Sequence, residues 1–180
     1  VNSFFERYQP VFEVVARLLG NGWRVNLLDD CRYRIKLTTP ELKRYVITVR
    51  EEKNRLVIYG FVESRQWSGN GAQCTVSLSR EVTGIANDIR CKILPLARKE
   101  IENALKYEKN IHEQQEKKQI LKGMLAQLVQ LESWYGALTG FKTENGLSGK
   151  ITEQGDCYDF VVRDLNIDQL VKLTGMIKQL

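Results

Sequence analysis

The stretch Tyr45–Glu63 reads YVITVREEKNRLVIYGFVE. Two runs rich in β-branched and aromatic residues, YVITVREE and RLVIYGFVE, flank Glu52-Lys53-Asn54. That is the pattern of two antiparallel strands joined by a tight turn. Working outward, Cys31–Leu37 reads CRYRIKL and alternates Cys31, Tyr33, Ile35 and Leu37 with Arg32, Arg34 and Lys36. Before it, Trp23-Val25-Leu27 alternates with Arg24 and Asn26, and Asp29-Asp30 supplies a turn. After the loop around WSGNGAQ, the run CTVSLS places Cys74, Val76 and Leu78 on one face. Five antiparallel strands are expected.

Helical spacing brackets these strands. Ser3 and Glu6 form a candidate capping box, and Tyr8, Val11, Phe12, Val15, Leu18 and Leu19 then recur on one face. Pro10 either kinks this helix or stands in its first turn, and Gly20-Asn21-Gly22 ends it. From Glu81 onward Val82, Ile85, Ile89, Ile93 and Leu96 make a second stripe, with a kink expected at Pro95. Residues 106–119 are almost wholly polar, as in a solvated helix. Leu121, Met124, Leu128, Leu131, Tyr135 and Leu138 then fall at 3-4-3-4-3 spacing, an a/d seam. Such a helix over 121–138 packs inside its own chain or makes a protein interaction, including a homodimer, through Leu121, Met124, Leu128, Leu131 and Tyr135.

GFKTENG, LSGKITEQG and DCYDFVVRD read as three short strands turning at Asn145-Gly146 and Gly155-Asp156. Asn166 and Gln169 cap a last helix whose buried stripe is expected at Leu170, Leu173, Ile177 and Leu180. The expected class is α+β: an N-terminal helix plus a five-stranded antiparallel sheet, a long central helix and a C-terminal β3-α unit. The expected divisions are an α-β5-α domain over 1–106, a helical connector over 107–139 and the small unit over 140–180.

Composition bounds the chemistry. The 180 residues are 43% hydrophobic and 27% charged, as in soluble globular proteins. No apolar run approaches the roughly 18 residues of a membrane span. Nothing at the start, which is Val1 rather than Met, resembles a signal peptide. The four cysteines show no CxxC, and the one histidine, His112, lies in the polar run EKNIHEQQEKK. Neither a metal site nor a cofactor is expected, and reduced thiols in a cytoplasm fit this usage. No GxSxG, Walker loop, HExxH or GxGxxG motif is present, so the chain does not read as an enzyme. Asp29-Asp30 and Glu51-Glu52 are neighbours at turns and read as solvated acids.

The net charge of +5 sits in the first half, where residues 1–80 hold 13 Lys/Arg against 8 Asp/Glu. If Leu56, Ile58 and Val62 point inward, Tyr59 and Phe61 share the outer face with Arg24, Arg32, Arg34 and Lys36. Aromatic rings flanked by cations hold single-stranded nucleic acid, rings stacking on bases and cations neutralising phosphates. A plain solvated or covered face uses the same residue types.

The segment CTVSLSREVTGIANDIRCKILPLARKEIENAL resembles proteins of undefined role encoded by bacteriophages, prophages and conjugative plasmids. Val76, Ser77, Ser79, Ile85, Ala86, Asp88, Ile89, Ile93, Leu94 and Pro95 carry the resemblance. Cys91-Lys92 departs from it where further basic residues are expected. The resemblance implies a non-enzymatic accessory protein of a mobile genetic element. Such a protein works in a bacterial cytoplasm by binding a host protein or nucleic acid, and it would inhibit a host defence system. No catalytic residue is carried over.

Overall fold

Ser3 opens the first helix as its side chain suggests. Its hydroxyl accepts the Glu6 N–H at 3.3 Å while its own N–H donates to the Glu6 carboxylate at 2.9 Å. The structure, a computed structural model, describes residues 3–29 and 31–180. Val1 and Asp30, half of the expected Asp29-Asp30 turn, lie outside the described residues. The chain divides into two compact units, Val1–Asn110 and Ile111–Leu180.

In the first unit, helix α1 (Phe4–Leu19) runs through Pro10. Pro10 is exposed, so its missing N–H costs a hydrogen bond on the wet side while Tyr8, Phe12, Val15, Ala16 and Leu19 stay buried. Strands β1 (Arg24–Val25), β2 (Arg34–Thr38), β3 (Tyr45–Glu52), β4 (Arg55–Val62) and β5 (Ala72–Ser77) form an antiparallel sheet in chain order. Lys53 and Asn54 both take positive φ, 48° and 59°, as a two-residue hairpin turn requires. Ile35, Leu37, Ile47, Val49, Leu56, Ile58, Cys74 and Val76 form the buried face. Helix α1, helix α2 (Val82–Lys92) and the start of α3 (Leu94–Ala126) contribute to the same core through Phe12, Ile85, Ile89, Ala97 and Ala104.

Gly60 permits that closeness. A Cβ there would lie 2.4 Å from the Ile93 side chain and 2.5 Å from the Tyr45 hydroxyl, so only a bare backbone fits. The expected kink at Pro95 is a break at Ile93, since proline cannot donate back to the preceding turn and α3 starts afresh with Pro95 in its first turn. Leu96, expected in the stripe, is exposed in consequence.

One correction falls on CRYRIKL. The strand begins at Arg34, and Arg32 and Tyr33 belong to a turn. The Arg32 carbonyl is used instead to accept the Phe5 N–H at 3.1 Å. Tyr33, expected to face the helices, is exposed.

The second unit departs further from expectation. Helix α3 ends at Ala126, so no helix spans 121–138. Gln127 and Leu128 turn, and Gln130–Glu132 form strand β6, paired with β7 (Thr139–Lys142) through Leu131 opposite Phe141. Strands β8 (Ser148–Gln154) and β9 (Cys157–Arg163) complete a four-stranded antiparallel sheet, not a three-stranded one. Its small core joins Leu138, Phe141 and Ile151 to Leu121, Leu125, Val129, Leu131 and Val162.

Helix α4 (Ile167–Ile177) carries the expected capping box between Asn166 and Gln169. Its expected buried stripe is absent. None of its residues is buried, and Leu170, Ile177 and the terminal Leu180 are exposed, because α4 has no partner layer on that side. No helix is long and apolar enough to cross a membrane among the described residues.

Candidate nucleic-acid interface

The register decides which side chains share the face away from the helices. Antiparallel partners directly opposite one another point to the same side of a sheet. Arg24 stands opposite Thr38, Thr38 opposite Val46, and Val46 opposite Phe61. The next row is Lys36, Thr48, Tyr59 and Gln73, and the next is Arg34, Arg50, Val57 and Thr75. Glu52, Arg55 and Ser77 close the face. Leu56, Ile58 and Val62 do point inward, so Tyr59 and Phe61 lie outward. Val46 and Val57 are buried on this outer face, outside the helix-backed core, with the longer Phe61 and Arg50 directly opposite them.

The two rings form a fixed platform. Tyr59 and Phe61 stack with centroids 5.3 Å apart and planes 26° from parallel. The Tyr59 hydroxyl donates to the Asn70 carbonyl at 3.2 Å, which ties the ring to the Glu63–Gly71 loop. Gly71, at φ +62°, lies so close that a Cβ would sit 2.4 Å from the Tyr59 hydroxyl. Both rings remain half-buried, with part of their surface open to solvent.

Around the platform stand Arg24, Arg34, Lys36, Arg50 and Arg55. Arg34 and Arg50 are directly opposite, an arrangement of like charges that costs stability unless counter-charges relieve it. Each has one. Arg34 donates two hydrogen bonds to the Asp29 carboxylate at 2.9 and 2.8 Å, and Arg50 pairs with Glu52. The Arg34 hydrogen bonds hold the Asp29 carboxyl below its usual range and raise the Arg34 guanidinium above its own. Lys36 donates to both Glu63 oxygens at 2.8 and 3.1 Å. Arg24 and Arg32 have no ion-pair partner among the described residues, and Arg55 reaches only the Thr75 carbonyl at 3.5 Å. These carboxylates stand at the rim, on Asp29, Glu52 and Glu63, and an incoming anion competes with them for the exposed Arg34 and Arg50 at modest cost, whereas Lys36 is largely covered.

Of the residues singled out from sequence, Arg24, Arg34, Lys36 and Tyr59 meet on this face and Arg32 does not sit on its strand. Arg50, Arg55 and Phe61 complete the set. The two arginines were missed because they lie near the β3–β4 turn, where charged residues read as hairpin edges. Leu121, Met124, Leu128, Leu131 and Tyr135 do not make one surface: Leu121 and Leu131 pack into the second unit's core, while Met124, Leu128 and Tyr135 are exposed. No group of three or more His, Cys, Asp or Glu side chains gathers as a metal site among the described residues. Comparisons of the chain with family models, with curated proteins and with solved structures found no match.

Proposed function

We propose that this chain binds single-stranded nucleic acid across the outer face of its five-stranded sheet. The observation that carries the reading is the Tyr59–Phe61 stack set within a field of five cations. Bases stack on the exposed ring surface, and Arg24, Arg34, Arg50 and Arg55 neutralise phosphates on either side. Thr38 and Thr48 among them, and Gln73 and Thr75 on the neighbouring edge strand β5, supply hydrogen bonds to sugar and base edges. A single strand is favoured over a duplex because paired bases keep their π-faces in the stack and present nothing to the rings. In the setting that the resemblance implies, the bound host macromolecule is then a nucleic acid, and the accessory role is exercised by occupying it.

The test is fluorescence anisotropy with labelled single-stranded DNA, single-stranded RNA and duplex, each at low and high salt. The Arg24→Glu/Arg55→Glu variant runs beside the parent chain. Single strands are expected to bind in a salt-sensitive way and duplex more weakly, and both are expected to be lost in the folded variant. Absence of binding at low salt, or binding indifferent to the charge reversal, overturns it.

A further inference from the structure

The sheet of the second unit ends in two edge strands, the three-residue β6 and the seven-residue β9, and the longer one offers the more extended edge. Strand β9 pairs only with β8, so every second residue of β9 directs its N–H and C=O away from the sheet. Edge strands are normally blunted by charges, proline, a bulge or a covering element; Cys157–Arg163, CYDFVVR, has no proline and an unbroken register with β8, and its two charges, Asp159 and Arg163, are of opposite sign. The side chains beside this edge are apolar and open. Phe160 is 58% exposed, Val161 on the opposite face 38%, and Met176 on α4 67%. A groove of about 340 Å³ lies on the Phe160 face, lined by Phe160, Val162, Leu173, Met176 and Leu180. Apolar surface of this kind on a strand edge marks an interaction site.

The geometry points to a second copy of this chain as the occupant, pairing β9 with β9 about a two-fold axis through Val161. The charges select that register. In an antiparallel self-pairing centred on Val161, Asp159 of one copy stands opposite Arg163 of the other, and the symmetry makes this pair twice. Asp159 and Arg163 have no ion-pair partner in their own chain among the described residues; Arg163 lies over the Trp134 ring at 5.3 Å. Asp164, at φ +63°, turns the chain away after Arg163, so in this register the two copies pair from Asp159 to Arg163. An axis normal to the sheet keeps the Phe160 and Val162 faces of both copies on one side. The result is a continuous eight-stranded sheet whose apolar edge side chains, and the exposed face of α4 beside them, are covered across the axis. This interface lies in the second unit and is independent of the nucleic-acid reading.

The experiment is sedimentation velocity on the full chain under reducing conditions, which removes any disulfide through exposed Cys157. The parent chain is expected to be a concentration-dependent dimer. Asp159→Arg and Arg163→Asp each set like charges opposite one another and are expected to weaken dimerisation about tenfold or more. The double exchange Asp159→Arg/Arg163→Asp restores the pairing and the dimer, a recovery that general damage to the fold does not produce. Val161→Glu, which places two carboxylates on the axis, is expected to give a folded monomer by circular dichroism. A monomeric parent chain at micromolar concentration overturns the inference. So does a dimer that survives both single reversals and Val161→Glu, which assigns dimerisation to another surface.

Discussion

Tyr59 and Phe61 stand two residues apart on β4, and their rings stack at 5.3 Å on the side of the sheet that the helices leave open. Successive side chains alternate faces on a strand, so this pairing follows directly from Ile58 and Val62 being buried. The stack spends two large apolar groups on a surface where polar residues would serve solubility better.

Replacing Phe61 with alanine removes half the platform and leaves the helix-backed core intact. Stacking of one base on an aromatic ring contributes about 1–3 kcal/mol by alanine substitution. The expected result is a loss of single-strand affinity of about tenfold, read by anisotropy, with little change in the far-ultraviolet circular dichroism.

Phosphate contacts release counter-ions, so affinity falls with salt in proportion to their number. Arg24 has no ion pair among the described residues and is free to engage one phosphate. Arg24→Gln is therefore expected to reduce the slope of log K against log salt by about 0.7 on single strands. An unchanged slope places Arg24 outside the binding track.

Gly71 bounds the platform from the loop side. Alanine there must adopt φ +62° and meet the Tyr59 hydroxyl at 2.4 Å, so the ring is pushed out of position. Gly71→Ala is expected to lower both thermal stability and single-strand affinity, while Gly146→Ala, with open space around its Cβ, lowers stability alone.

Glu108 supplies a pH test of the first unit. Hydrogen bonds from Arg44 and Ser64 hold its carboxyl at about 2, below the ordinary 4.5. A carboxyl depressed on folding stabilises the fold above its unfolded value, and the contribution disappears as pH falls from 4.5 through about 2. Melting curves from pH 6 to pH 2 should show this decline, and Glu108→Gln should lose stability at pH 6 while declining less steeply with acid.

The sheet of the first unit was legible because its strands alternate cleanly and its hairpin turn is short. Ile35 and Leu37 on β2, and Leu56 and Ile58 on β4, state their face without ambiguity. CRYRIKL misled at its start: the alternation continues through Arg32 and Tyr33, but Arg32 is used by its carbonyl to receive the Phe5 N–H, a contact between distant segments. In the second unit the 3-4-3-4-3 spacing from Leu121 to Leu138 imitated a coiled-coil seam. Within it, Val129-Gln130-Leu131-Glu132 also alternates with period two, and pairing of Leu131 with Phe141 settles the competition for a strand. The exposed face of α4 was read as buried because an amphipathic pattern states that a face is apolar and not what covers it.

The candidate site was legible by residue type and illegible by membership. Arg34 opposite Arg50 is a matter of register, which is set by how two strands align and is stated by neither strand alone.

The most direct test of the central claim is ultraviolet cross-linking of a single-stranded oligonucleotide to the full chain, with the attached peptides mapped by mass spectrometry. Adducts are expected on Tyr59 and Phe61 and should disappear at high salt. Adducts confined to other segments, such as Trp134 or Tyr158 in the second unit, or none despite measurable binding, would contradict it.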